Sequence, residues 1–138
     1  MKVCDVKSVG DLAVLFSTEE GCSSAIKELF GMFDREVYDV LVHSGRYSAV
    51  LAGALANKMG RCVVDASDVS SETIRSDSKA ILLCDMLADG QEQLDLIQRI
   101  ESLGCRVIRV GFVIEDTACG ARKARILRKY PFEAMATI

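Results

Sequence analysis

Four apolar residues, Ala80-Ile81-Leu82-Leu83, run without a polar alternate into Cys84 and Asp85. A strand with one face in water alternates, so an unbroken run predicts a strand covered on both faces, as in a parallel sheet between helix layers. The run leads through Met86-Leu87-Ala88-Asp89 to Gly90, and from Gln91-Glu92 onward the apolar residues recur at helical spacing. In such sheets the carboxyl ends of the strands carry the ligand chemistry. A strand that ends in Asp and turns through Gly into a helix N-terminus is built like an anion or sugar-phosphate site. The alternative is structural: Asp85 and Asp89 cap the helix that follows a buried strand.

The flanking sequence repeats this alternation of strand and helix. Residues 2–6 and 11–16 (KVCDV and DLAVLF) are two short strand-like pieces around Ser8-Val9-Gly10, and predict an antiparallel hairpin. Ser17-Thr18-Glu19-Glu20 has capping-box spacing. Cys22, Ile26, Leu29, Phe30 and Phe33 follow at helical intervals. Tyr38–Val42 is the next strand. It empties into His43-Ser44-Gly45-Arg46-Tyr47-Ser48, and then into a helix of small residues ending at Gly60. The loop therefore opens on a helix N-terminus, a second potential anion site on the same sheet edge. Arg46 suits a bidentate contact to phosphate or carboxylate, or a plain surface charge. His43, the only histidine, is either a satisfied strand-end residue or a base.

Residues 61–66 predict a third strand, and the polar stretch 67–78 an exposed connection without a core element. After the run at 80–83, Leu94, Ile97, Ile100 and Leu103 mark one helix face, and 105–114 is a long β-branched strand. Residues 121–130 predict a short basic helix with Arg122, Lys123, Arg125, Arg128 and Lys129, stopped by Pro131 before a last strand at 132–138. That basic run is a solvated helix face or an attractor for an anionic partner. The pattern predicts one α/β domain over 1–138, with three layers and a largely parallel sheet of about five strands.

Composition narrows the functional classes. A net charge of -3 gives no reason to expect nucleic acid as a partner, and no apolar run reaches membrane-spanning length. The N-terminal MKVCDVKSVGD lacks the apolar core of a signal peptide. Six cysteines without a CxxC pair read as reduced core residues, so a cytoplasmic setting is expected. No GxGxxG or GxxxxGK[ST] loop is present.

Three blocks, in order, resemble type I phosphoribosyltransferases. The first is Tyr38–Gly60, similar to that family's strand, pyrophosphate-binding loop and small-residue helix. The second is the stretch from Ile81 to Glu92, which resembles the family's phosphoribosyl-pyrophosphate (PRPP) loop. The third is Leu94–Ile138, similar to the C-terminal part of adenine and xanthine phosphoribosyltransferases. Family members use Mg²⁺ and displace pyrophosphate from PRPP with a nitrogenous base. Paired acids hold the ribose, and the following loop binds the 5′-phosphate. The resemblance implies that Ser44, Gly45, Arg46, Tyr47 and Ser48 form the pyrophosphate loop. It likewise places Cys84, Asp85, Ala88, Asp89, Gly90, Gln91 and Glu92 in the PRPP loop.

Three positions depart from that pattern. Cys84 stands where the first acid belongs, and Asp89 and Glu92 stand where the family has hydroxyl residues. Two unit charges about 4 Å apart repel by roughly 4 kcal/mol at an effective dielectric near 20, about a thousandfold in affinity. The segment 67–78 also looks shorter than the family's mobile flap. One of the two carboxylates is expected to take the helix N-terminus in place of the phosphate. The expectation is a phosphoribosyltransferase-like protein with weakened or lost PRPP chemistry. It would act as a ligand-binding, regulatory or assembly subunit for a small phosphorylated ligand, with Mg²⁺ only if PRPP binds. By resemblance it would pair as a homodimer. The alternatives are an active purine or orotate phosphoribosyltransferase and a flavodoxin- or receiver-like module.

Overall fold

The computed structural model describes residues 1–138. Its centre is a five-stranded sheet, all parallel, in the order β2-β1-β3-β4-β5. The strands are β1 (Val40–Ser44), β2 (Cys62–Asp65), β3 (Lys79–Leu87), β4 (Arg106–Glu115) and β5 (Phe132–Thr137). β3, at the middle of the sheet, carries the unbroken apolar run, and Ala80 to Leu83 are fully buried. The period of two divides its side chains between two cores. Ile81 and Leu83 join the core that contains Leu29, Phe33, Leu51 and Leu55. Ala80, Leu82 and Cys84 face the core built with Leu96, Ile97 and Ile100.

Helices cover both faces. α2 (Glu19–Phe33) and α3 (Arg46–Met59) supply the first core, and α4 (Gln91–Ser102) the second. The N-cap of α2 is Thr18, whose hydroxyl accepts the Gly21 N–H at 3.0 Å. α3 ends on Gly60, left-handed as its position predicts. No helix is long and apolar enough to cross a membrane.

Four local expectations are corrected. The N-terminal hairpin is absent: Val3–Asp5 is a 3₁₀ turn and Asp11–Phe16 is a helix, α1. Leu12 and Leu15, three apart, are the residues it buries, while Val14 stays half-exposed, a helical rather than an alternating pattern. Asp11 fixes its start by accepting the Lys7 and Ser8 N–H groups at 2.8 and 3.0 Å. The basic helix is also shorter than expected. α5 spans only Ala121–Ala124, because Arg125 takes a left-handed φ of 58° and turns the chain out of the helix. In the polar connection, Ile74 is buried and joins the second core. All six cysteines are free, but only Cys84 and Cys105 are buried, whereas Cys4, Cys62 and Cys119 are exposed.

Candidate functional site

The parallel arrangement brings the two loops singled out above to one edge of the sheet. Ser44, the last residue of β1, pairs with Cys84, and β3 continues three residues farther to Leu87. Adjacent residues of a strand point to opposite faces. Cys84 therefore turns into the α4 core, while Asp85 turns toward α3.

Asp85 meets α3 at its N-terminus. One carboxylate oxygen accepts the Ser48 N–H at 2.7 Å and the other the Tyr47 N–H at 3.3 Å. These belong to the unpaired N–H groups of the helix's first turn. Asp85 thus neutralises the positive end of the helix dipole from 37 residues away in sequence. Gly45 makes this approach possible: its φ of 119° is glycine territory, and a Cβ there would overlap the Asp85 carboxyl group. The Ser48 hydroxyl closes the turn by donating to the Gly45 carbonyl at 3.0 Å. Arg46 lies 4.8 Å over the Tyr47 ring, which stacks at 5.0 Å on Phe16 of α1. The N-terminal helix thereby supports the loop.

The second loop is closed in a similar way. The Asp89 carboxylate accepts the Gln91 N–H at 2.9 Å, at the start of α4. Of the two acids expected at this terminus, Asp89 is the one that bonds a backbone N–H there, two residues along the chain. Glu92 is exposed in the first turn. Gly90 takes a φ of 98°, and its open side is filled by Leu127 and Ile126 from the basic turn. An open pocket of about 520 Å³ is lined by Ala88, Asp89, Glu92, Gln93 and Cys119. Burial pushes the Cys84 thiol up to about 12, with the Gln93 side chain opposing that shift. At neutral pH Cys84 is a neutral thiol inside the protein.

Asp85 is bonded to two backbone N–H groups, and Cys84 is protonated and buried. His43 is nearly buried, with Nδ1 3.5 Å from an Asp65 oxygen and without a hydrogen-bond partner. The hydroxyl and N–H of Ser67 hold the Asp65 carboxyl below its usual range, helped by His43.

Some residues at this edge were not singled out from sequence. Glu115, at the end of β4, is buried and receives the Arg122 guanidinium through Nε at 3.2 Å and Nη2 at 3.0 Å. Gln93 and Cys119 line the loop pocket. Gln93 sits on the helical face shared by Ile97 and Ile100, a signal the sequence does contain. The position of Cys119 depends on the turn after β4, which has no sequence period.

No family model matches the chain. A xanthine phosphoribosyltransferase of Acinetobacter baumannii is 34% identical over 70 residues, 51% of this chain but only 37% of that protein's length. The similarity in structure extends farther. An adenine phosphoribosyltransferase from Giardia lamblia, solved with 9-deazaadenine, aligns with a TM-score of 0.80 at 17% identity, over 93% of this chain and 85% of that one. One from Thermoanaerobacter pseudethanolicus aligns with a TM-score of 0.78 at 16% identity, over 90% and 84%. UMP synthase of Leishmania donovani aligns at 0.74 and 15% identity, covering 92% of this chain and 29% of that one.

Proposed function

The chain has the type I phosphoribosyltransferase fold, and we propose that it carries this fold without the PRPP transfer reaction, as a ligand-binding or assembly subunit. The observation that carries the reading is the carboxylate of Asp85 on the N–H groups of Tyr47 and Ser48. In the fold this is the edge where a pyrophosphate loop is expected, and here an internal carboxylate holds the helix terminus. A pyrophosphate oxygen would have to displace a bonded anion and would face its charge at short range.

Two further features support the same reading. Cys84 lies on the opposite face of β3 from Asp85 and stays protonated, so the ribose hydroxyls would lack a pair of carboxylate acceptors. Asp89 satisfies the first N–H of α4, and Glu92 adds a second negative charge to the same pocket.

The test is calorimetric titration with PRPP and Mg²⁺ of the wild-type protein and of an Asp89→Thr/Glu92→Thr variant. The expected result is no magnesium-dependent binding by the wild type and a gain of phosphate affinity in the variant. Micromolar, magnesium-dependent PRPP binding by the wild type would instead support an active transferase acting on a purine or orotate.

A further inference from the structure

The basic turn after β4 forms a site of its own. Residues 121–130 hold Arg122, Lys123, Arg125, Arg128 and Lys129 and no acid; the rest of the chain carries a formal charge of -8, the -3 of the whole less these five cations. The left-handed turn at Arg125 gathers three of the arginines. Arg122, Arg125 and Arg128 line one open pocket of about 270 Å³ with Ala121 and Phe132. None of these residues lines the Asp89 pocket.

The three guanidinium groups are not equivalent. Arg122 is held by the buried Glu115 and lies 4.7 Å over the Phe132 ring, so its position is fixed and its charge matched. Arg125 and Arg128 take part in none of the protein's ion pairs. Two unmatched guanidinium groups therefore share a pocket with a third that is rigid. Arg125 is also one of only two non-glycine residues with positive φ. Such a backbone is strained for a residue with a Cβ and persists where surrounding structure holds it.

We propose that this pocket binds a phosphate dianion, either free or as the monoester of a small molecule. A phosphate near neutral pH carries about -1.5 to -2, which matches the two unpaired arginines. Guanidinium groups offer paired N–H donors suited to its oxygens. The site is distinct from the loop reading above: its arginines line a pocket separate from that of Asp89, although Ile126 and Leu127 of the same turn pack on Gly90 at the α4 terminus.

The experiment titrates the full chain at low ionic strength with inorganic phosphate, ribose 5-phosphate and AMP, with adenosine and an oligoglutamate as controls. The variant is Arg125→Gly/Arg128→Gln. Glycine accepts the left-handed turn without strain, so the variant should fold with an unchanged or higher Tm. The expected result is binding of the phosphates but not adenosine, weakened at least about tenfold in the variant, since the charge-assisted hydrogen bonds of two guanidinium groups are lost. If AMP and ribose 5-phosphate bind more tightly than inorganic phosphate, the ligand is a monoester; the reverse order identifies the free ion. Equal affinity in the variant, equal affinity for oligoglutamate, or no phosphate binding at millimolar concentration would each overturn the proposal. None of these outcomes depends on PRPP turnover.

Discussion

Asp85 on the central strand accepts the N–H of Ser48 at 2.7 Å, joining β3 to the first turn of α3. This bond sets the electrostatics of the sheet edge, because the most positive end of α3 already holds an anion. Truncating the carboxylate tests its structural value. Asp85→Ala removes a cap and leaves first-turn N–H groups unmatched, so a loss of about 1–2 kcal/mol is expected. Denaturant unfolding measures it. Asp85→Asn, which keeps an acceptor but loses the charge, should fall between that variant and wild type.

Gly45 is the second half of the same device. Gly45→Ala should destabilise by about 3 kcal/mol or more, since a strained φ alone costs roughly 1–3 kcal/mol and the new methyl also meets the Asp85 carboxyl. Gly60→Ala is the control. Its φ of 65° is unfavourable for alanine, but the space around it is open, so only about 1 kcal/mol is expected. Equal thermal shifts for the two would mean that the approach of Asp85 places no constraint on position 45.

The buried thiol predicts behaviour at high pH. Cys84 titrates near 9.0 when unfolded and near 12 in the fold. Tyr130, hydrogen-bonded to Glu101, is likewise raised from 10.0 to about 12. In both cases the folded state holds its proton more tightly, so the stabilisation is complete below the unfolded value and is lost as pH rises toward 12. Stability should therefore fall from about pH 9 upward. Cys84→Ala should make that fall shallower by up to about 1.4 kcal/mol per pH unit, the slope for one proton. Alkylation at pH 8 should label exposed Cys4 and Cys62 and spare Cys84 until the chain is unfolded. Mass spectrometry of the modified peptides reads this directly.

Glu115 and Arg122 form an asymmetric pair, with side-chain exposures of 3% and 59%. Arg122→Ala should strand a buried carboxylate and cost about 2–3 kcal/mol, below the range for a fully buried pair because water reaches the arginine side. Adding Glu115→Gln should recover part of the loss. A double variant less stable than Arg122→Ala would show that Glu115 is held by something other than this arginine.

The central architecture was legible because burial leaves a periodic mark. The unbroken run at 80–83 identified β3 as covered on both faces, and the alternation of elements implied the parallel sheet. Gly60 was readable as a helix end because a left-handed terminus favours glycine. Over the first 16 residues a 3₁₀ turn and a helix stand in place of the expected hairpin, because short apolar segments such as DLAVLF fit either period, and packing of Leu12 and Leu15 decides for the helix. Arg125 ended α5 early through a backbone angle that arginine rarely adopts, which no residue pattern announces. At the site, sequence pointed to two loops and to an acid at the α4 terminus, where Asp89 accepts the Gln91 N–H. The bond from Asp85 to α3 was hidden, since it joins residues 37 apart whose meeting depends on strand register.

The most direct test of the account is pyrophosphate release from PRPP in the presence of Mg²⁺, with adenine, guanine, hypoxanthine, xanthine and orotate offered in turn. With Asp85 held on α3 and Cys84 buried and protonated, the predicted result is no release above the protein-free rate with any base. Base-dependent release that disappears in Asp85→Asn would contradict the account, because it would show Asp85 serving the transfer reaction that the proposal denies.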